Sequence, residues 1–125
     1  WEGVGGFESS LELLVREWEE GAFDGLLGFS QGTLMASLLC AHLREARSDL
    51  RQPKFIILCA GFMRPWPAAA GAWWPPCPLL DVPSLHVVGE RDTIVANCRS
   101  EELCGVYAKS VEFRHRLVGH PPGFG

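Results

Sequence analysis

The feature that most constrains this fold is a series of short apolar runs, each separated from the next by a helical or irregular segment. Residues 55–60 (FIILCA) are apolar throughout, as expected of a strand covered on both faces of a parallel sheet. Shorter runs at 23–29, 84–88 and 111–116 also predict strands, and leucines recur at helical spacing between 31 and 47. Alternating strands and helices predict the α/β class: a mainly parallel sheet of about four strands with flanking helices.

The remaining segments complete one domain that occupies residues 1–125. The glycine-rich residues 1–8 predict a loop, after which Ser9 and Glu12 fit a capping box that opens a helix. A further helix is expected near 100–108. The proline- and tryptophan-rich residues 61–83 predict a long irregular connection, and connections of that length are often functional.

Composition excludes several classes of protein. A net charge of −4 without a basic run gives no reason to expect nucleic acid as a partner, and no apolar stretch is long enough for a membrane span. The five cysteines form no CxxC pair and no zinc-type spacing, so we expect neither a bound metal nor a disulfide framework. Free thiols in apolar runs favour a reducing, cytoplasmic compartment.

The pentapeptide Gly28-Phe29-Ser30-Gln31-Gly32 matches the nucleophile pattern G-x-S-x-G. A serine hydroxyl needs a base within reach, and a sharp strand-to-helix turn presents the side chain to one. Glycines on either side are expected to relieve the crowding of that turn. Because Gln31 would open the helix, its amide is the candidate oxyanion donor. The alternative is a glycine-bounded turn with an idle serine.

A serine nucleophile on such a turn is followed along the chain by an acid and then by a histidine. Asp92 comes directly after the strand at 84–88, so it should lie at the carboxyl edge of the sheet, where Ser30 also emerges. Asp81 precedes that strand and should lie at the opposite edge. We therefore predict Asp92 as the acid that holds the histidine tautomer, with Glu90 as its rival.

Four histidines compete for the role of base. His42 is predicted on a helix surface and His86 inside an apolar strand, which makes both structural. His115 is a minor candidate in the fourth strand. His120 follows that strand in a glycine-bounded loop at the carboxyl edge, so it is the predicted base, against the alternative of a disordered terminal histidine.

These residues resemble the family serine hydrolases of the α/β-hydrolase superfamily. The resemblance covers nearly the whole chain and is most specific in FDGLLGFSQG at 23–32, continuing in KFIIL at 54–58, PSLHVVGERD at 83–92 and Gly119-His120. It implies a small carboxylesterase that acts on small-molecule acyl or alkyl esters, or on thioesters, without a cofactor. It assigns the triad to Ser30, Asp92 and His120, and one oxyanion donor to Gln31.

The chain departs from that family at both ends. Val118 stands where the family has a glycine, Pro121 follows the histidine, and the family's N-terminal strands and final helix are absent, which implies a partial α/β-hydrolase domain. The missing N-terminal loop would supply the second oxyanion donor, whose loss costs roughly 10²–10³ in rate. The strand before Ser30 should become an exposed edge. Two alternatives therefore stay open: a catalytically silent fragment that acts by binding, and an acyl-carrier thioesterase.

Overall fold

The protein, seen in a computed structural model, alternates helices and strands in the order that its sequence predicts. The structure describes residues 4–62, 76–92 and 97–116. The elements are α1 (Val4–Glu20), β1 (Gly25–Phe29), α2 (Gln31–Glu45), β2 (Phe55–Cys59), β3 (Ser84–Gly89), α3 (Asn97–Cys104) and β4 (Ser110–His115).

The strands form one parallel sheet in the order β1-β2-β3-β4. Each strand pairs with the next along the chain, and the intervening connections carry the chain back to the same starting edge. Predictions of the α/β class and of a four-stranded parallel sheet are confirmed. Among the described strands, β1 lies at one end of this order, as expected for the strand before Ser30.

One face of the sheet packs against the helices. Ile56 and Leu58 of β2 are 0% and 1% exposed and belong to a core that also contains residues of α1, α2 and α3. α2 supplies the largest share of that core, with eight apolar residues between Leu34 and Leu43. Burial on nearly all sides between Thr33 and Leu43 stabilises α2 at the point where it leaves the sheet, directly after Ser30.

The opposite face of the sheet is apolar and largely exposed, which differs from the expectation of a strand covered on both faces. The register places side chains of all four strands on this face. Its large exposed members are Leu27 (74%), Phe29 (42%), Phe55 (44%), Val111 (64%) and Phe113 (58%). The apolar run at 55–60 correctly predicted a strand, but in the described part of the chain the helices cover only one of its sides.

Two helix predictions are wrong in their boundaries. The predicted loop at 1–8 is helical from Val4, so Ser9 lies inside α1 and does not cap it. Each glycine destabilises a helix by about 1 kcal/mol, but packing of the amphipathic segment that follows stabilises α1 enough to offset this cost. α3 spans Asn97–Cys104, so the predicted helix at 100–108 begins and ends too late. The prediction for 61–83 lies largely outside the described residues.

The connection from α1 into β1 is held by Arg51 and Trp18. The Arg51 guanidinium donates to the carbonyls of Trp18 (3.0 Å), Gly21 (2.7 Å) and Phe23 (2.7 Å), and it lies 5.1 Å from the centre of the Trp18 ring. The Trp18 indole donates back to the Arg51 carbonyl at 2.8 Å. These bonds satisfy carbonyls left open at the end of α1 and fix where β1 begins.

None of the described helices combines the length and apolarity that crossing a bilayer demands. The thiols that the structure describes, those of Cys40, Cys59, Cys77 and Cys104, are all free.

Candidate active site

The chain turns sharply at Ser30, between the end of β1 and the start of α2. Ser30 has φ 54° and ψ −119°, in the positive-φ region that residues with a side chain seldom occupy. Such a conformation costs about 1–3 kcal/mol and persists only where the surrounding structure enforces it. The strained backbone sits at the serine that the sequence pattern selects, which is the arrangement expected of a nucleophile turn.

The two glycines of the pattern have different roles. A Cβ built on Gly28 would lie 2.7 Å from the carbonyl oxygen of Gly32 and 2.9 Å from the Cα of Thr33, so β1 and α2 approach each other too closely for any side chain there. A Cβ on Gly32 would meet nothing within 4 Å. Gly28 therefore relieves crowding, as expected, because no side chain would fit there. At Gly32 a side chain would fit, and only its backbone takes part in the close contact.

Backbone hydrogen bonds hold Ser30 on both sides. Its amide donates to the carbonyl of Cys59 at the end of β2, at 2.9 Å. Its carbonyl accepts from the amide of Thr33 at 3.0 Å and from the Thr33 hydroxyl at 2.6 Å. The turn is therefore anchored to the neighbouring strand before it and to the first turn of α2 after it.

Gln31 is the first residue of α2, as the sequence predicts. An amide at this position has no acceptor within its own helix, and the helix dipole adds partial positive charge. The Gln31 amide is thus chemically suited to stabilise a developing oxyanion next to Ser30.

Asp92 follows β3 through a tight turn, in which its amide donates to the carbonyl of Gly89 at 3.1 Å. The turn holds half-buried Asp92 at the carboxyl edge of the sheet, the edge at which Ser30 also emerges. Two strand spacings separate β1 from β3, roughly 10 Å. Ser30 and Asp92 therefore share one edge of the sheet, with the end of β2 between them.

The rival acids are placed less favourably. Asp81 precedes β3 and lines a cavity of about 370 Å³ with Pro53 and Pro83, at the amino edge of the strands. It is therefore at the opposite edge from Ser30, as expected. Glu90 is exposed on the turn before Asp92.

The predicted base, His120, lies outside the described residues. His86 is 2% exposed and bonds to the hydroxyl of Ser84 at 2.9 Å, as expected of a structural residue, and His42 is half-buried within α2. His115 ends β4 at the carboxyl edge, but β4 lies three strand spacings from β1, about 14 Å. That distance is too long for a direct hydrogen bond between His115 and Ser30.

The site contains two polar contacts that the sequence reasoning missed. The Thr33 hydroxyl bonds to the Ser30 carbonyl, and the hydroxyl of buried Ser100 bonds to the Gly61 carbonyl at 2.5 Å. A threonine three residues after the nucleophile is a sequence signal, since hydroxyls in a first helical turn often bond to preceding carbonyls. The Ser100 contact joins segments far apart in the chain and has no local signal.

In the described part of the chain, no group of His, Cys, Asp and Glu is arranged to hold a metal ion.

Comparison with known proteins then decides the family. The family described as serine hydrolase (FSH1) matches residues 1–123. The chain belongs to this family. Esterase OVCA2 of Bos taurus is 36% identical over 112 residues, which cover 88% of this chain and 48% of that protein. Esterase GA18864 of Drosophila pseudoobscura pseudoobscura is 34% identical over 116 residues, which cover 92% of this chain and 38% of that protein.

The chain thus spans about half the length, or less, of these family members. Among solved structures, the RedJ thioesterase from the prodiginine pathway of Streptomyces coelicolor superposes with a TM-score of 0.63 at 18% identity, covering 93% of this chain and 64% of that one. At that identity the likeness shows the fold alone, which is a partial α/β-hydrolase fold.

Proposed function

We propose that this chain carries the nucleophile of a serine esterase that cleaves carboxylic esters of small molecules. The observation that carries the proposal is the strained backbone of Ser30 between a strand and a helix, at the centre of a G-x-S-x-G pattern. Family membership and the esterase names of its relatives support it.

The reaction has two steps that share one transition-state geometry. The Ser30 hydroxyl attacks the ester carbonyl while His120 takes its proton, and the tetrahedral oxyanion accepts a hydrogen bond from the Gln31 amide. The intermediate then collapses: His120 donates its proton to the leaving oxygen, the alcohol departs, and an acyl-enzyme remains. Water then attacks the acyl carbonyl, with its proton passing to His120, and Ser30 recovers a proton as the acid departs. Asp92 holds the imidazole in the required tautomer.

Labelling with a fluorophosphonate probe tests the nucleophile. The wild-type chain should form a covalent adduct that mass spectrometry locates at Ser30, and Ser30→Ala should abolish it. Ser48→Ala, which removes an exposed serine after α2, is the matched control and should label as the wild type does. An adduct that persists in Ser30→Ala would refute the assignment.

The acid and base are tested by hydrolysis of a p-nitrophenyl ester. His120→Ala and Asp92→Asn should each lower kcat by roughly 10³-fold or more, since triad members act as one unit. His115→Ala should leave kcat close to that of the wild type. A large loss in His115→Ala with none in His120→Ala would transfer the role of base to His115. Covalent labelling without any turnover would favour the silent binding chain.

The thioesterase alternative uses the same triad with a thiolate as leaving group. The RedJ structure, titled a thioesterase, gives that alternative a precedent within the fold. Rates on an acyl-thioester and on the oxygen ester of the same acyl chain separate the two, because only the leaving group differs. We expect the oxygen ester to be hydrolysed with the higher kcat/KM.

A further inference from the structure

The Thr33 side chain is buried next to the nucleophile turn and is held by contacts with Ser30 and Gly61. It is 0% exposed, and its hydroxyl donates to the Ser30 carbonyl at 2.6 Å. Close packing against Gly61 restricts it further, since a Cβ on Gly61 would lie 3.2 Å from the Thr33 Oγ1 and 3.3 Å from its Cβ. The Gly61 carbonyl is in turn held by the Ser100 hydroxyl. Thr33 therefore has little freedom to rotate.

A second chain of buried hydrogen bonds holds the backbone of Thr33. The Ser37 hydroxyl donates its single proton to the Thr33 carbonyl at 2.7 Å, so in its 2.6 Å contact with Tyr107 it must accept. The direction of donation runs from Tyr107 to Ser37 and on to Thr33. Both residues are buried, and each hydroxyl donates its one proton to the next group in the chain, which makes this support for α2 well ordered.

The carbonyl that Thr33 holds belongs to the same peptide group as the Gln31 amide. A trans peptide is planar, and its C=O and N–H bonds point in opposite directions. Fixing the Ser30 oxygen from the Thr33 side therefore fixes the direction in which the Gln31 N–H points. We propose that Thr33 is a positioning residue that aims the Gln31 oxyanion donor through its hydroxyl bond to the Ser30 carbonyl.

This inference rests on the proposed esterase function and adds a residue to it. An oxyanion donor acts on charge that develops in the transition state, so misdirecting it lowers kcat and leaves ground-state binding unchanged. Complete loss of a donor costs roughly 10²–10³ in kcat. Loss of one of two bonds that aim the donor should cost less, about tenfold.

Thr33→Val removes the hydroxyl and keeps the shape, while Thr33→Ser keeps the hydroxyl. For p-nitrophenyl ester hydrolysis, Thr33→Val should lower kcat about tenfold at unchanged KM, and Thr33→Ser should retain most of the wild-type kcat. Thr33→Ala is a second variant without the hydroxyl, and it should show the same loss. The Thr33 amide still donates to the Ser30 carbonyl in all three, so the turn keeps one of its two bonds.

Ser84→Ala is the matched control, because Ser84 is also buried and loses a hydroxyl bond, in its case to His86 of the same strand. The His86 ring packs edge-on against Tyr107, with 5.3 Å between the ring centres, but this variant leaves the Thr33 hydroxyl bond to the Ser30 carbonyl in place. We expect a lower urea midpoint and an unchanged kcat for this variant. The inference is overturned if both variants without the hydroxyl keep the wild-type kcat, or if Ser84→Ala loses as much kcat as they do. A wild-type chain that never labels at Ser30 would instead refute the proposed function, and this inference with it.

Discussion

Substitution by alanine should change the free energy of unfolding in opposite directions at Gly28 and Gly32, the two glycines that flank Ser30. In Gly28→Ala the new methyl group meets three backbone atoms of α2, at 2.7, 2.9 and 2.9 Å. Ordinary contacts of this kind begin near 3.4 Å, so the turn must open by about 0.7 Å. Backbone atoms held by hydrogen bonds cannot yield as a flexible side chain would. We therefore expect a loss of about 2–3 kcal/mol in the free energy of unfolding, at the upper end of the overpacking range.

Gly32→Ala is the matched control within the same five residues. Gly32 lies in the first turn of α2, and a Cβ there has open space around it. Alanine reduces the conformational freedom of the unfolded chain and favours the helix, which should raise the free energy of unfolding by about 0.5–1 kcal/mol. The two variants should thus differ by about 3 kcal/mol.

Urea unfolding followed by tryptophan fluorescence measures this difference. With a slope of about 1–3 kcal/mol per molar urea, the midpoints of Gly28→Ala and Gly32→Ala should differ by at least about 1 M. Fluorophosphonate labelling should also slow in Gly28→Ala, because the turn that presents Ser30 has opened. Midpoints that shift in the same direction by similar amounts would contradict this difference between the glycines, since the pattern would then require both of them for a shared reason.

Three further predictions concern the core and its charges. Burial lowers the pKa of His86, so the unfolded chain binds that proton more readily, and stability should fall as pH drops below about 6.5. Urea midpoints measured on either side of that pH should show this fall, and it should shrink in His86→Gln. Arg51→Met removes the hydrogen bonds to carbonyls at the end of α1 and should lower the free energy of unfolding by about 1–3 kcal/mol, as measured by urea titration. Its control is Arg16→Met, on the exposed side of α1, which should leave the free energy of unfolding almost unchanged. Burial raises the pKa of the Cys40 thiol to about 12, so iodoacetamide at mildly alkaline pH should alkylate exposed Cys77 first and Cys40 only on unfolding, as peptide mass spectrometry can follow.

The order of elements and the position of the nucleophile were predictable because they depend on local signals. Apolar runs bounded by glycine or proline specify β1, β2 and β3, and the pattern around Ser30 specifies the turn that joins β1 to α2. The rule that parallel strands end at one edge was sufficient to place Asp92 at the same edge of the sheet as Ser30 and Asp81 at the opposite edge.

Other features depend on tertiary contacts that no local pattern encodes. α1 begins at Val4 although two glycines follow, because burial of its apolar side stabilises the helix more than the low helix propensity of glycine destabilises it. The different demands on Gly28 and Gly32 come from the approach of two backbones, which the sequence pattern treats alike. The role of Thr33 depends on Gly61 and Ser100, which are distant in the chain. Such contacts became visible only once the strands were in register.

The buried hydroxyl chain that begins at Tyr107 gives this protein an intrinsic optical probe. Tyr107 is the single tyrosine of the sequence and is 3% exposed, and burial raises the pKa of its phenol above the ordinary range. At alkaline pH we therefore expect phenolate absorbance to develop as the segment after α3 opens to solvent. A rapid jump to high pH would time that opening directly, without any added dye or label, at the residue on which the support behind the nucleophile turn begins.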